Sequence, residues 1–313
     1  MKIVHRDYVL KLKSDRRAKL PIEYHANGDC IHMGKISHGC RMCYKRGGAT
    51  DVVIYSGSEC NLKCPVCYYP HDRVDNKEVL LKDIAADQNA FANALKDHRF
   101  QPDLISYSCE GETLLYPEVI KVYADLIKEK RPNLKVYSFL YTNGVLADKD
   151  MLDFLKECNI TELRFHLSAS YFSNQVIDNL ILAREKDFIV TLEEPSLPEN
   201  KEKLLEILPF LDKIGVAHID MIEPRVTRFN YKYLHEKYPD GLLYQDHQWA
   251  MYDDGLVYDI MESKYKNNYK FSIIDCSSRV ELKRLNITED NPLDIESIIK
   301  SNDDIINAIN NKW

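Results

Sequence analysis

Apolar residues along this chain of 313 residues fall into short runs separated by stretches of helical spacing, and the alternation becomes regular from residue 51. Short β-rich runs stand at 52–55, 104–107, 135–140, 162–167, 188–192 and 217–222. Between them, helical patterns cover 81–95, 117–130, 149–157, 174–185 and 201–213. In the last of these, Leu204, Leu205, Ile207, Leu208 and Leu211 fit a single helix face. Strands alternating with helices in this way predict parallel βαβ units. Closing them gives an α/β fold of the open (β/α)6, partial TIM-barrel type. Ligands of such a barrel sit at the carboxyl ends of its strands.

The flanks read differently. Residues 1–48 are short of apolar runs, are punctuated by glycine, and hold Cys30, Cys40 and Cys43 among His25, His32 and His38. A segment with so few core-forming residues needs a staple, and in a reducing compartment a metal is the usual one. After about residue 224 the alternation fades. The stretch 225–270 is rich in Tyr, Asp and Lys; it leads into Phe271-Ser-Ile-Ile-Asp-Cys276 and a polar tail with a helical pattern at 292–312. Three segments are therefore expected: a cysteine-rich N-terminal segment (1–48), a core (49–224) and a C-terminal extension that closes the barrel mouth (225–313).

Composition narrows the function classes. With 45% hydrophobic and 29% charged residues the chain reads as an ordinary globular protein, and a net charge of −7 offers no basic surplus for a nucleic-acid partner. The N-terminus lacks an apolar signal core and no run approaches transmembrane length, so no membrane partner is expected. Nine cysteines without a signal peptide point to metal or redox chemistry in a reducing cytoplasm rather than to disulfides.

The candidate chemistry centres on Cys60-Asn-Leu-Lys-Cys64-Pro-Val-Cys67-Tyr68, directly after the first β-rich run. Three thiolates spaced C-x3-C-x2-C suffice for three irons of a [4Fe–4S] cube and leave the fourth iron open to chelate a small molecule. Half of a zinc site is the other metal reading, although zinc ribbons usually carry two C-x2-C pairs. A zinc-binding interaction protein built on two cysteine sites is the corresponding non-enzymatic alternative.

The triplet resembles the signature of the radical S-adenosylmethionine (radical SAM) superfamily, including the aromatic Tyr68 directly after the third cysteine. The resemblance implies that Cys60, Cys64 and Cys67 hold the cluster and that the open iron binds the amino and carboxylate groups of SAM. It also implies reductive cleavage to methionine and a 5′-deoxyadenosyl radical, which takes a hydrogen atom from a polar small molecule or a peptide. An oxygen-sensitive enzyme fed by a flavodoxin- or ferredoxin-type reductant follows. Gly111 and Glu112 match the Gly-Glu step of the family's Gly-Gly-Glu-Pro-like stretch for the methionine ammonium, while Glu110 and Thr113 depart from it. Asn143, in Thr142-Asn143-Gly144, resembles a family turn with a supporting role, and Asn-Gly is also a common structural turn. Ser168 resembles a ribose or carboxylate contact. Alternation sets it on one strand face with Arg164 and His166, where His166 either touches substrate or is a hydrogen-bonded core histidine. Glu194 and Glu223 are candidates for SAM hydroxyls or polar substrate groups. Stretches between residues 39 and 278 further resemble a largely archaeal radical SAM group described as related to pyruvate formate-lyase activating enzymes.

A second cysteine set remains. Cys40 and Cys43 form a C-x2-C pair, with Cys30 upstream and Cys276 after an apolar run that folding can return to the N-terminal segment. These four are expected to form an auxiliary [4Fe–4S] cluster or a zinc site. Alternatively Cys276 or Cys109 donates a hydrogen atom to a substrate radical. Cys158 reads as structural.

Overall fold

The computed structural model describes residues 1–276 apart from 5–8, 10, 11, 14, 15, 26–29, 41–50, 73–76, 245–248 and 254. Cys43, the side chain of Cys30 and the helical pattern at 292–312 lie outside the described residues. In chain order the strands are β1 (Lys2–Ile3), β2 (Glu23–His25), β3 (Cys30–Met33), β4 (Asp51–Tyr55), β5 (Leu104–Ser108), β6 (Tyr137–Thr142), β7 (Glu162–Phe165), β8 (Ile189–Pro195), β9 (His218–Ile222), β10 (Leu242–Tyr244), β11 (Trp249–Met251) and β12 (Ser272–Cys276). The helices are α1 (Lys77–Ala94), α2 (Pro117–Lys130), α3 (Lys149–Glu157), α4 (Asn174–Glu185), α5 (Lys201–Ile214), α6 (Tyr231–Lys237) and α7 (Leu256–Asn267). From β4 to β9 strands and helices alternate as expected for an α/β fold of the partial TIM-barrel type. The chain forms two compact units. One comprises residues 37–63 and 71–192, and the other residues 1–36, 64–70 and from 193 onward.

In the first unit β4 to β8 pair in sequence order, every pair parallel. Both faces of such a sheet are covered, which is why its strands read as near-continuous apolar runs. Leu104, Ile105, Phe139, Leu140, Leu163, Phe165, Val190 and Leu192 are all buried, against Ile120, Leu152, Leu155, Val176 and Leu180 from the helices. Two helix starts are set by side-chain caps: Asp148 accepts the Met151 N–H at 2.9 Å, and Ser173 accepts that of Val176 at 3.4 Å. The β6 strand lies two residues further along than its apolar run, because pairing with β5 begins only at Tyr137 opposite Leu104. β7 ends at Phe165, and a 3₁₀ turn, Leu167–Ser170, follows. Strand alternation therefore does not reach Ser168, which leaves the face expected to hold it with Arg164 and His166.

The start of β7 carries a buried polar knot. Glu162 pairs with Arg164 at 3.0 Å and accepts hydrogen bonds from the hydroxyls of Thr191 (2.6 Å), Tyr137 (2.8 Å) and Ser37 (3.0 Å). Arg164 also lies over the Phe139 ring and within 3.2 Å of Cys40 Sγ. A Cβ on Gly39 would meet the guanidinium at 2.7 Å, so only glycine lets residues 37–40 approach it this closely.

In the second unit β9 and β12 pair in parallel, Ser272 opposite His218 through Cys276 opposite Ile222. β12 also pairs antiparallel with β3, Asp275 opposite Ile31, and β3 antiparallel with β2, His25 opposite Cys30. The apolar run before Cys276 thus does return to the N-terminal segment. The β12–β3 pairing runs to Asp275 opposite Ile31, which leaves Cys276 and Cys30 as the next residue of each strand. The C-terminal extension contributes a sheet strand of its own, a contribution its fading alternation did not announce. In α5 the residues Leu204, Leu208 and Leu211 are buried as their spacing predicts, and Gly215 in the left-handed region (φ 80°) ends the helix.

Candidate functional site

The cysteine triplet begins in the first unit, with Cys60, and continues in the second, with Cys64 and Cys67. Each part is built by its own neighbours.

In the first unit the loops leaving β4 and β5 cross backbone to backbone. Glu110 N–H donates to Gly57 O at 3.1 Å and Glu112 N–H to Glu59 O at 2.8 Å. A Cβ on Gly111 would come within 1.9 Å of the Glu59 carbonyl oxygen, so the crossing requires glycine there. The Tyr116 hydroxyl accepts the Glu59 N–H at 3.0 Å, fixing the residue just before Cys60. Cys60 Sγ accepts the Leu62 N–H at 3.4 Å, and Asn143 Nδ2 lies 3.9 Å from the same sulfur while donating to Asn61 Oδ1 at 2.7 Å. Burial pushes the Cys60 thiol pKa up, and these donors act against that shift. N–H groups around a sulfur suit a metal-bound thiolate, so Cys60 fits the ligand role its spacing assigns.

Glu112 is buried, and its carboxylate is taken up by the protein. Oε1 accepts from Leu114 N–H (3.0 Å) and the Thr142 hydroxyl (2.7 Å), and Oε2 accepts from Asn143 N–H (2.7 Å). Burial raises its pKa while the same hydrogen bonds hold it down. The side chain thus ties the loop after β5 to the end of β6 and caps the short turn that follows it. Asn143 Oδ1 accepts the Val145 N–H at 3.0 Å, so the Asn-Gly turn is itself structured while its amide reaches Asn61. Cys109 Sγ accepts the Gly111 N–H at 2.9 Å, and burial pushes its pKa up to about 12, which keeps it a thiol. At the end of β7 His166 is half-buried, desolvation lowers its pKa to about 4, and its buried Nε2 has no hydrogen-bond partner among the described residues. Ser168 sits in the following turn, half-buried.

In the second unit Cys67 N–H donates to Cys64 O at 3.0 Å, closing a turn across Pro65 and Val66. Tyr68 is 38% exposed, packs tilted against the Tyr69 ring at 4.4 Å and lies under Arg225 at 5.8 Å. The next two carbonyls matter more. Thr227 donates its hydroxyl to Tyr68 O at 2.8 Å, and Asn230 donates its amide to Val66 O at 2.9 Å. Neither residue was marked by its sequence context. Glu194 is buried at the end of β8. Glu223, just past β9, pairs with buried Lys13 at 2.5 Å and accepts the Tyr244 hydroxyl. Asp275 accepts the Tyr258 hydroxyl at 2.8 Å and lies 3.6 Å from Lys13. Burial opposes the Lys13 charge, but Asp275 and Glu223 outweigh it and push that pKa up, while burial raises the pKa of Glu223. Glu223 is thus engaged within the protein, and Cys276, next to Asp275, ends β12 half-buried. Cys158 caps α3 and is buried. Among the described residues no three His, Cys, Asp or Glu side chains form a ready-made metal cage, and no helix is long and apolar enough to cross a membrane.

Comparison with known proteins agrees with the fold and the motif. The model of the radical SAM superfamily matches residues 54–211. The chain therefore belongs to the radical SAM superfamily of enzymes. A cysteine-type anaerobic sulfatase-maturating enzyme of Clostridium perfringens is 32% identical over 105 residues, which are 33% of this chain and 28% of that protein. The match thus spans under a third of the relative's length. Among solved structures, native anSMEcpe with bound AdoMet is 14% identical, covers 71% of this chain and 63% of its own, and has a TM-score of 0.48. SuiB of Streptococcus suis, bound to its precursor peptide SuiA, is 14% identical over 64% of this chain and 48% of its own, with a TM-score of 0.45.

Proposed function

We propose that this chain holds a [4Fe–4S] cluster on Cys60, Cys64 and Cys67 and uses it to open SAM for hydrogen-atom abstraction from a peptide or a polar small molecule. When bound, the reduced cluster supplies one electron to SAM and so yields a 5′-deoxyadenosyl radical. The observation that carries the reading is the C-x3-C-x2-C triplet directly after β4, in a chain of this superfamily, with N–H donors gathered on the Cys60 sulfur.

The other residues have binding and shielding roles in this reading. Gly111 lets backbone approach the ligand, and Glu112 holds the β5 and β6 loop ends in place, its charge adding attraction for the methionine ammonium. Asn143 and Tyr68 flank the cluster loop. Ser168 and Glu194 are the hydroxyl and carboxyl offered to SAM. The buried His166 Nε2 is the polar atom a bound ligand would satisfy. Between the substrate classes, the name of the clostridial relative, a sulfatase-maturating enzyme, favours a peptide side chain. Electrons would come from a flavodoxin- or ferredoxin-type donor in the cytoplasm. For the second cysteine set, the antiparallel pairing of β12 with β3, the strands that carry Cys276 and Cys30, supports a shared metal, iron–sulfur or zinc, over a hydrogen-donor role. Segments 1–48 and 225–313 would then supply substrate specificity around the core.

The test is iron, sulfide and zinc per chain after anaerobic purification, with electron paramagnetic resonance of the reduced protein before and after SAM. About four irons per chain and a signal perturbed by SAM are expected, or about eight if the second set also holds a cluster. Zinc alone, with no iron after reconstitution, would overturn the proposal.

A further inference from the structure

We infer that Thr227 and Asn230 are positioning residues for Cys67. The inference rests on the reading of Cys67 as a cluster ligand. Cys67 lies between two carbonyls, and both are held from outside the motif. Asn230 Nδ2 donates to Val66 O at 2.9 Å, and Thr227 Oγ1 donates to Tyr68 O at 2.8 Å. Both side chains are fully buried, so these bonds form away from competing water.

The clamp is itself locked. Asn230 Oδ1 accepts the Thr227 N–H at 2.8 Å, its Nδ2 also donates to Arg225 O at 2.9 Å, and Thr227 Oγ1 accepts the Phe229 N–H at 3.3 Å. Each side chain therefore has one defined orientation and presents its donor to the cysteine loop. Val66 packs on the apolar cluster of Leu197, Val226, Tyr231 and Leu234, which also anchors the loop. With the Cys64–Cys67 turn already closed, the backbone that carries the Cys67 sulfur is held on both sides. A ligand held in place before the metal arrives loses less entropy on binding and releases the metal more slowly.

Three anaerobically reconstituted variants test this: Thr227→Val, which keeps shape and removes the donor, Asn230→Ala, and Thr227→Ser, which restores the hydroxyl. The readouts are the rate of iron loss to a chelator and the electron paramagnetic resonance spectrum and midpoint potential of the cluster. Thr227→Val and Asn230→Ala should lose iron about fivefold faster, with a shifted spectrum or potential, and Thr227→Ser should match the parent protein. Unchanged iron loss and spectrum in Thr227→Val would overturn the positioning role. So would a Thr227→Ser variant as impaired as Thr227→Val. A parent protein that takes up no iron would instead overturn the cluster reading and this inference with it.

Discussion

The Thr142 hydroxyl donates to Glu112 Oε1 at 2.7 Å, joining the end of one parallel strand to the loop after its neighbour. With the Asn143 N–H on Oε2, this carboxylate is a fastener between β5 and β6 before it is anything else. Replacing Glu112 by Gln turns one acceptor oxygen into an NH2 facing an N–H or a hydroxyl. Glu112→Gln is expected to lower stability by about 1–3 kcal/mol. Urea unfolding of the apo protein checks this, and an unchanged midpoint would leave Glu112 without a structural task.

His166 makes stability depend on pH. Its folded pKa of about 4 lies below the unfolded value near 6.5, so between these values the unfolded chain binds the extra proton. The stability held at neutral pH is lost as pH falls through that window, by roughly 3 kcal/mol in all. His166→Gln should flatten this part of the stability–pH curve. A parallel curve for parent and variant would place the titration elsewhere.

Lys13 neutralises two buried carboxylates at once. Lys13→Met leaves Glu223 and Asp275 facing each other with only Arg17, 4.0 Å from Asp275, as a remaining cation among the described partners. A loss of about 3–5 kcal/mol at neutral pH is expected. Chemical denaturation measures it; a change under about 1 kcal/mol would mean that water or rearrangement replaces the ion pair.

Cys276 and Cys158 make a matched pair for metal analysis. Cys276→Ala should lower the total of iron and zinc per chain, while Cys158→Ala, at a helix cap, should not. Equal metal in both variants would remove Cys276 from any ligand set.

The core of the fold was legible because parallel strands covered on both faces leave continuous apolar runs, and helix faces repeat. Leu204, Leu208 and Leu211 mark α5 in both the sequence and the structure. The ends of elements were less legible. β6 starts at Tyr137 because β5 decides where pairing begins, and the turn at Leu167 breaks the alternation that grouped Ser168 with Arg164. Arg164 itself is spent on Glu162 rather than on a ligand. Thr227 and Asn230 escaped notice for a similar reason. Their task is to hold carbonyls far away in the chain, and such a task imposes no period and no spacing.

The grip on the cysteine loop also orders events in the life of the chain. Thr227 follows Tyr68 by 159 residues, and Asn230 follows Val66 by 164. At ordinary elongation rates the ribosome needs on the order of ten seconds to cover that interval. During it the nascent triplet is exposed without its clamp, and its thiols are open to oxidation or to the wrong metal. On the cluster reading proposed above, loading of the motif is a late step, set by the arrival of residues 225–230 rather than by the synthesis of the cysteines.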